Sequence, residues 1–199
     1  MEHAEPADDP HLWNTHAAME LRRRAERIET APTPCFLGEE HLSFRSLKDY
    51  AADAIDRITG SRAIDRDRCI YIIELDQGTS PEPVMTAYRQ AKATSGLRLP
   101  RDNGIETRCL YLGSSFATSN RARTLHSRLR QHLIETPNST YGLSLSKWAS
   151  DLDGGIVVSA WQYPAMGRNE DEIRNVVLTV EDWLSSQMEP MLGQRGIRN

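Results

Sequence analysis

The run Cys69-Ile70-Tyr71-Ile72-Ile73 constrains this chain more than any other stretch. β-Branched and aromatic side chains dominate it, a charged stretch precedes it and Asp76-Gln77-Gly78 closes it, so it reads as a buried strand. The remaining elements must pack around that strand. Ser80-Pro81 offers an N-cap and a proline at the first helical position, which predicts a helix from Pro81 to about Thr94. A loop over 95–107 contains Pro100, Asn103 and Gly104. Arg108-Cys109-Leu110-Tyr111-Leu112 then predicts a second strand stopped by Gly113, and a second helix is expected from Thr124 to about Ile134. Asp153-Gly154-Gly155 marks a tight turn before a third strand, Ile156 to Trp161, and a last helix from about Glu170 to Met188 ends before Pro190. The alternating stretch Thr140 to Leu145 fits either a short strand or the start of a helix that continues to Trp148. Trp148, Trp161 and Trp183 each adjoin a predicted element and are expected in the core or at its edge.

The upstream part reads differently. Pro10 to Thr30 has an imperfect apolar stripe (Leu12, Ala17, Met19, Leu21, Ala25, Ile28) interleaved with Arg22, Arg23, Arg24 and Arg27, which suggests a helix. Ala31-Pro32-Thr33-Pro34 cannot continue it. A further helix is expected from Ser43 or Ser46 to about Ile58, closed by Gly60. The reading is therefore a mostly helical accessory segment over residues 1–66 and an α+β domain over 67–199, the latter built on a small, mainly antiparallel three-stranded sheet flanked by helices. Both parts together suit 199 residues, since domains usually hold about 100 to 200.

No apolar run approaches the roughly 18 to 20 residues that span a bilayer, and Met1 to Pro10 is acidic rather than a basic leader, so no membrane partner is expected. Cys35, Cys69 and Cys109 are odd in number and form no C-x-x-C pair, which disfavours a disulfide framework or a thiolate zinc site and points to a cytoplasmic setting. The formal net charge is -4, which repels a polyanion at long range. Its distribution is uneven. Between Arg89 and His132 the chain carries Arg89, Lys92, Arg98, Arg101, Arg108, Arg121, Arg123, Arg128 and Arg130 against only Asp102 and Glu106, so a local cationic face is available.

Spacing on the helix around residue 128 sorts these cations. Leu125, Leu129 and Leu133 recur every four residues as a buried stripe. Arg128 and His132, also four apart, share one flank of that stripe, and His126 and Arg130 share the other.

Cys69-Ile70-Tyr71 and Tyr111-Leu112-Gly113 resemble the two signature tripeptides of the GIY-YIG nuclease superfamily. The order of the downstream residues strengthens the likeness: an arginine and a histidine four apart on the next helix (Arg128, His132), then a late glutamate with a proline nine residues beyond it (Glu181, Pro190). The resemblance covers roughly residues 67–196. Cys69 replaces the first glycine with a residue that a strand tolerates. Gly193 stands where many members carry a bracing asparagine, and Tyr71 and Tyr111 are 40 positions apart, a long insert between neighbouring strands.

The resemblance implies Mg²⁺-dependent, or Mn²⁺-dependent, cleavage of a phosphodiester backbone, with DNA preferred to RNA as partner. Such hydrolysis needs a positioned water, a group to take its proton and positive charge at the phosphate. By the same resemblance Tyr71 contacts the water as general base, Tyr111 positions the phosphate, Arg128 holds the scissile phosphate, His132 bonds the phosphate or the water and competes for the base role, and Glu181 binds the metal. A phenol ordinarily titrates near 10, so the base role calls for nearby cations. Arg121, Arg123 and Arg130 are expected to meet the nucleic-acid backbone. Two rivals stand beside this reading: a catalytically silent module that binds nucleic acid or a protein, and an RNA-cutting toxin or defence effector.

Overall fold

The computed structural model describes residues 13–60, 68–118, 121–135, 141–164 and 170–193, and of these the side chains of 13, 14, 117, 118, 121–123 and 170 lie outside the description. The architecture is α+β. Strand β2 (Cys69–Leu75) is the expected buried strand, and it lies in the middle of an antiparallel sheet of order β1-β5-β2-β3-β4. Helices cover both faces of β2. That is why its sequence is apolar at nearly every position and does not alternate.

The expectation of three strands needs correction. Strand β1 (Cys35–Ser43) pairs with β5 (Gly155–Gln162) along its length, and the three-residue β4 (Arg121–Arg123) folds back on β3 (Cys109–Thr118). An edge strand is paired on one side and mostly exposed, so β1 tolerates Gly38, Glu39, Glu40 and His41 and lacks the apolar run that announces a buried strand. Nor does β3 stop at Gly113. It continues to Thr118 because the glycine is a packing requirement: a Cβ there would lie 2.6 Å from the Tyr71 hydroxyl oxygen and 2.9 Å from Cε1 of Tyr111.

One face of the sheet carries α2 (Leu47–Thr59), α3 (Pro81–Thr94), α4 (Leu125–Leu133) and the short α5 (Leu145–Trp148). A 3-10 turn, Phe44–Ser46, leads from β1 into α2, which ends at Gly60 with a positive φ of 69°. The main core forms here, from Phe44, Leu47 and Ile55 through Tyr71 and Ile73 to Leu125, Leu129 and Leu133. Residues 35–59, read from sequence as part of a mostly helical accessory segment, thus add a strand and a helix to the same sheet and core. The other face carries α6 (Glu170–Met188), whose Ile173, Val176 and Val177 pack on Ile70 and Tyr163, with α1 (Trp13–Glu29) against α6. Trp148 and Trp161 are partly buried as expected, whereas Trp183 is exposed on α6. No helix among the described residues is long and apolar enough to cross a membrane.

Candidate active site

Strand register creates the site. Tyr71 pairs with Gly113 and Ile73 with Tyr111, so the two tyrosines are diagonal neighbours on one face of β2 and β3. Their rings stack with centroids 6.3 Å apart, and the missing side chain at Gly113 makes room for both.

Helix α4 brings the basic groups. Thr124 caps its start by accepting from the Ser127 N–H at 3.3 Å, and the stripe Leu125, Leu129 and Leu133 is fully buried. That stripe aims Arg128 and His132 at the tyrosines. His132 is wholly enclosed, its ring centroid 4.3 Å from that of Tyr111 and its Nε2 3.0 Å from the Tyr71 hydroxyl. Nδ1 accepts the Leu143 backbone N–H at 3.3 Å, so the neutral ring carries its proton on Nε2 and donates it to Tyr71. Burial, helped by the charge on Arg128, holds the imidazole well below its ordinary pKa, in keeping with that neutral form.

Arg128 donates from Nη1 to Gln131 Oε1 at 2.8 Å, and its charge lies close enough to both phenols to act on each. Tyr71 therefore accepts from His132, and the Arg128 charge acts on it as well as on Tyr111. Burial raises the pKa of both tyrosines and outweighs Arg128, which pulls each down, so both are phenols at neutral pH. The two differ in access. Tyr71 is fully buried, while Tyr111 is only partly so.

Glu181 enters from α6, on the other face, and meets β3 at Ser114, whose hydroxyl donates to Oε2 at 2.5 Å. Burial raises its pKa, the Ser114 bond opposes that, and Asp182 beside it raises it further. Among the described residues no three His, Cys, Asp or Glu side chains group as a ready-made metal site. Mg²⁺ does not require one, since it commonly takes one or two carboxylates and completes its shell with water and phosphate oxygens. A partly buried, hydroxyl-braced carboxylate with a second one adjacent suits that donor set.

Gly193 completes the wall. Its φ is +98°, and a Cβ there would lie 2.7 Å from Cε2 of Tyr111, so no side chain fits at this position. The brace comes from the long insert instead. Asn103 is buried, donates from its side chain to the Pro190 carbonyl at 2.8 Å and from its backbone to Met191 at 2.9 Å, and the Gly193 N–H donates to the Arg101 carbonyl at 2.9 Å. From the other side Met191 and Leu192 donate to the Cys109 and Leu110 carbonyls at 2.8 and 3.1 Å. Residues 190–193 are thus clamped between the insert and β3. Sequence reasoning took Asn103 only as a loop marker, and its one signal was an asparagine close before Gly104 in the insert.

The structure therefore gathers Tyr71, Tyr111, Arg128 and His132 beside Gly113 on the α4 face, while Glu181 reaches Ser114 from the opposite face of β3, near enough for its charge to act on both tyrosines and Arg128. Arg130 is exposed on α4, outside this cluster. Arg121 and Arg123 lie on β4, and their side chains fall outside the described residues. The cationic stretch is partly spent within the fold. Arg89 pairs with Asp102 at 2.7 Å, Lys92 donates to the Pro100 carbonyl at 2.6 Å and Arg108 to the Leu75 carbonyl at 2.5 Å, while Arg98, Arg101 and Arg130 are exposed. Comparison with protein-family models, with curated proteins and with solved structures yields no match.

Proposed function

We propose that this chain is a metal-dependent DNA endonuclease of the GIY-YIG type. The observation that carries the reading is two stacked phenols with the charge of a partly buried arginine beside both on one face of β3, and a hydroxyl-braced glutamate at Ser114 on the other. Each has a part in phosphodiester hydrolysis.

Arg128 offers a fork of donors that holds the scissile phosphate and balances the charge that grows on it. Tyr111, the less enclosed of the two phenols, aligns the attacking water and takes its proton when ionised. The Arg128 charge favours ionised Tyr111 and works against burial, which raises its pKa. This departs from the sequence expectation that Tyr71 touches the water, because Tyr71 is fully enclosed. Tyr71 and His132 act as positioning residues, one stacked against Tyr111 and the other fixing Tyr71. Both His132 nitrogens are engaged inside the protein, which removes it from competition for the base role. Glu181 would hold Mg²⁺ or Mn²⁺, which when bound supplies Lewis-acid charge at the phosphoryl oxygen and a more acidic water.

The test is conversion of supercoiled plasmid to nicked or linear DNA with Mg²⁺ or Mn²⁺, repeated in chelator, with Glu181→Ala and with RNA of matched sequence. Cleavage that needs metal and Glu181 supports the proposal. Full activity in chelator would sink it. The enclosure of Tyr71 and His132 favours one rival, a silent nucleic-acid-binding module, which would bind the same DNA and leave it intact.

A further inference from the structure

The segment over 141–144 does more than link α4 to α5. Leu143 is fully buried, its N–H bonds His132 Nδ1, and its carbonyl accepts the Trp148 Nε1–H at 2.6 Å. The Ser144 N–H donates to the Gln131 carbonyl at 3.3 Å, and Ser144 is held at a positive φ of 49°, a conformation that a non-glycine residue adopts only where surroundings impose it. The Gly142 N–H donates to the Arg98 carbonyl at 3.3 Å. The backbone is thus tied on one side to the helix of Arg128 and His132, and on the other to the insert.

On this anchored backbone Tyr141 projects outward with 61% of its surface exposed, and the Arg98 guanidinium lies 6.0 Å from its ring centroid. Single exposed aromatics are common and by themselves mean little. This one is set apart by its fixed mounting, by its cation and by its position. It stands two residues, or about 7 Å of extended chain, from the residue that bonds His132. Exposed Arg101, whose carbonyl holds Gly193 against Tyr111, extends the cationic edge on the same insert. The nearest acid in that insert, Asp102, is already paired with Arg89.

We propose that Tyr141 and Arg98 form a stacking subsite for an unpaired base of the DNA strand that enters the site. The proposal rests on the nucleic-acid reading above. An exposed aromatic ring with a guanidinium beside it is the combination that grips single-stranded nucleic acid, since every base offers a π-face and the neighbouring phosphate meets the cation. Bases paired within a duplex are stacked on each other and cannot reach the ring. The favoured substrate therefore carries unpaired nucleotides a few positions from the cut.

The experiment uses the full chain in chelator, so that nothing is cut. Fluorescence anisotropy measures binding of a labelled DNA duplex with a short single-stranded tail and of its blunt counterpart. The parent protein should prefer the tailed duplex. Tyr141→Ala should lower affinity for it by about tenfold, a loss within the range of one base stack, and leave the blunt duplex unaffected. Tyr141→Trp should keep the preference, which separates lost stacking from lost folding. An equal loss on both duplexes, or no loss on either, would overturn the subsite while leaving nucleic-acid binding intact. If the parent binds neither duplex, the nuclease reading falls and takes the subsite with it.

Discussion

Gly193 and the ring of Tyr111 occupy adjoining space so closely that a Cβ on the glycine would lie 2.7 Å from Cε2 of the ring. The positive φ of Gly193 adds backbone strain for any side chain. Gly193→Asn, which would restore the residue that the GIY-YIG resemblance leads one to expect, should therefore damage the protein. Strain and overpacking together should destabilise it by about 2–4 kcal/mol. Cleavage should fall because Tyr111 is displaced. Urea denaturation and plasmid cleavage measure both, and a Gly193→Asn variant as stable and active as the parent would refute the packing argument.

Asn103 holds that glycine's segment from the insert. Asn103→Ala removes the donor to the buried Pro190 carbonyl and should cost about 1–3 kcal/mol. Asn103→Asp keeps the shape and loses the donor, so it should behave alike. If Asn103 positions the wall behind Tyr111, kcat should drop with little change in KM. A rise in KM at constant kcat would instead assign the insert to substrate docking.

The pH dependence of cleavage separates the two tyrosines. Burial holds the Tyr111 pKa above its ordinary value of about 10, so over pH 6–9 the phenolate is a minor form that grows tenfold per unit. The logarithm of the single-turnover rate should climb across that range with no plateau. Tyr111→Phe should abolish the slope with the activity, whereas Tyr71→Phe should lower the rate and keep the slope. A plateau below pH 8 in the parent would point to a different base.

His132 links stability to pH. Above about 6.5 its folded and unfolded forms are both neutral and contribute no difference. As pH falls below that value the unfolded imidazole binds a proton that the buried ring refuses, so stability is lost at up to about 1.4 kcal/mol per unit until the native pKa is reached. His132→Gln should be less stable at pH 8, having lost the bond to Tyr71, yet show a flatter decline between pH 7 and 5. Parallel urea curves for the two proteins across that interval would contradict the assignment.

Much of the fold was legible in the sequence, for identifiable reasons. Strand β2 declared itself because burial on both faces demands apolar side chains throughout, and α4 because Leu125, Leu129 and Leu133 keep helical spacing. The same spacing puts Arg128 and His132 on one flank, and the resemblance to the GIY-YIG tripeptides singles out that flank. Strand β1 was hidden because an exposed edge places few demands on side chains, and the reach of β3 past Gly113 because its reason lies in Tyr71, 42 positions earlier in the chain. The enclosure of Tyr71 and the bracing by Asn103 are tertiary facts that no local pattern encodes.

The arginines of α4 should separate chemistry from binding. Arg128 is partly buried, bonds Gln131 and acts electrostatically on Tyr71 and Tyr111, so its charge reaches the place where the phosphate would react under the proposed reading. Arg128→Ala should lower the saturated single-turnover rate by about 10²- to 10³-fold, the usual loss for a transition-state donor, with a much smaller change in affinity. Arg128→Lys should not rescue it, because one ammonium cannot offer the planar fork of donors that the proposed phosphate contact needs. Arg130 is exposed on the opposite flank and should behave in the reverse way. Arg130→Ala should weaken binding of every DNA tested, leave the saturated rate near that of the parent and reduce the slope of log affinity against log salt by about one unit, as one phosphate contact and its released counterion are lost. Arg121→Ala and Arg123→Ala on β4 are expected to match Arg130→Ala. Titrations at several salt concentrations, run beside single-turnover cleavage at saturating protein, read the two effects apart. If Arg128→Ala shifts only the binding curve, Arg128 is a docking residue and the reaction centre lies elsewhere than between the two tyrosines.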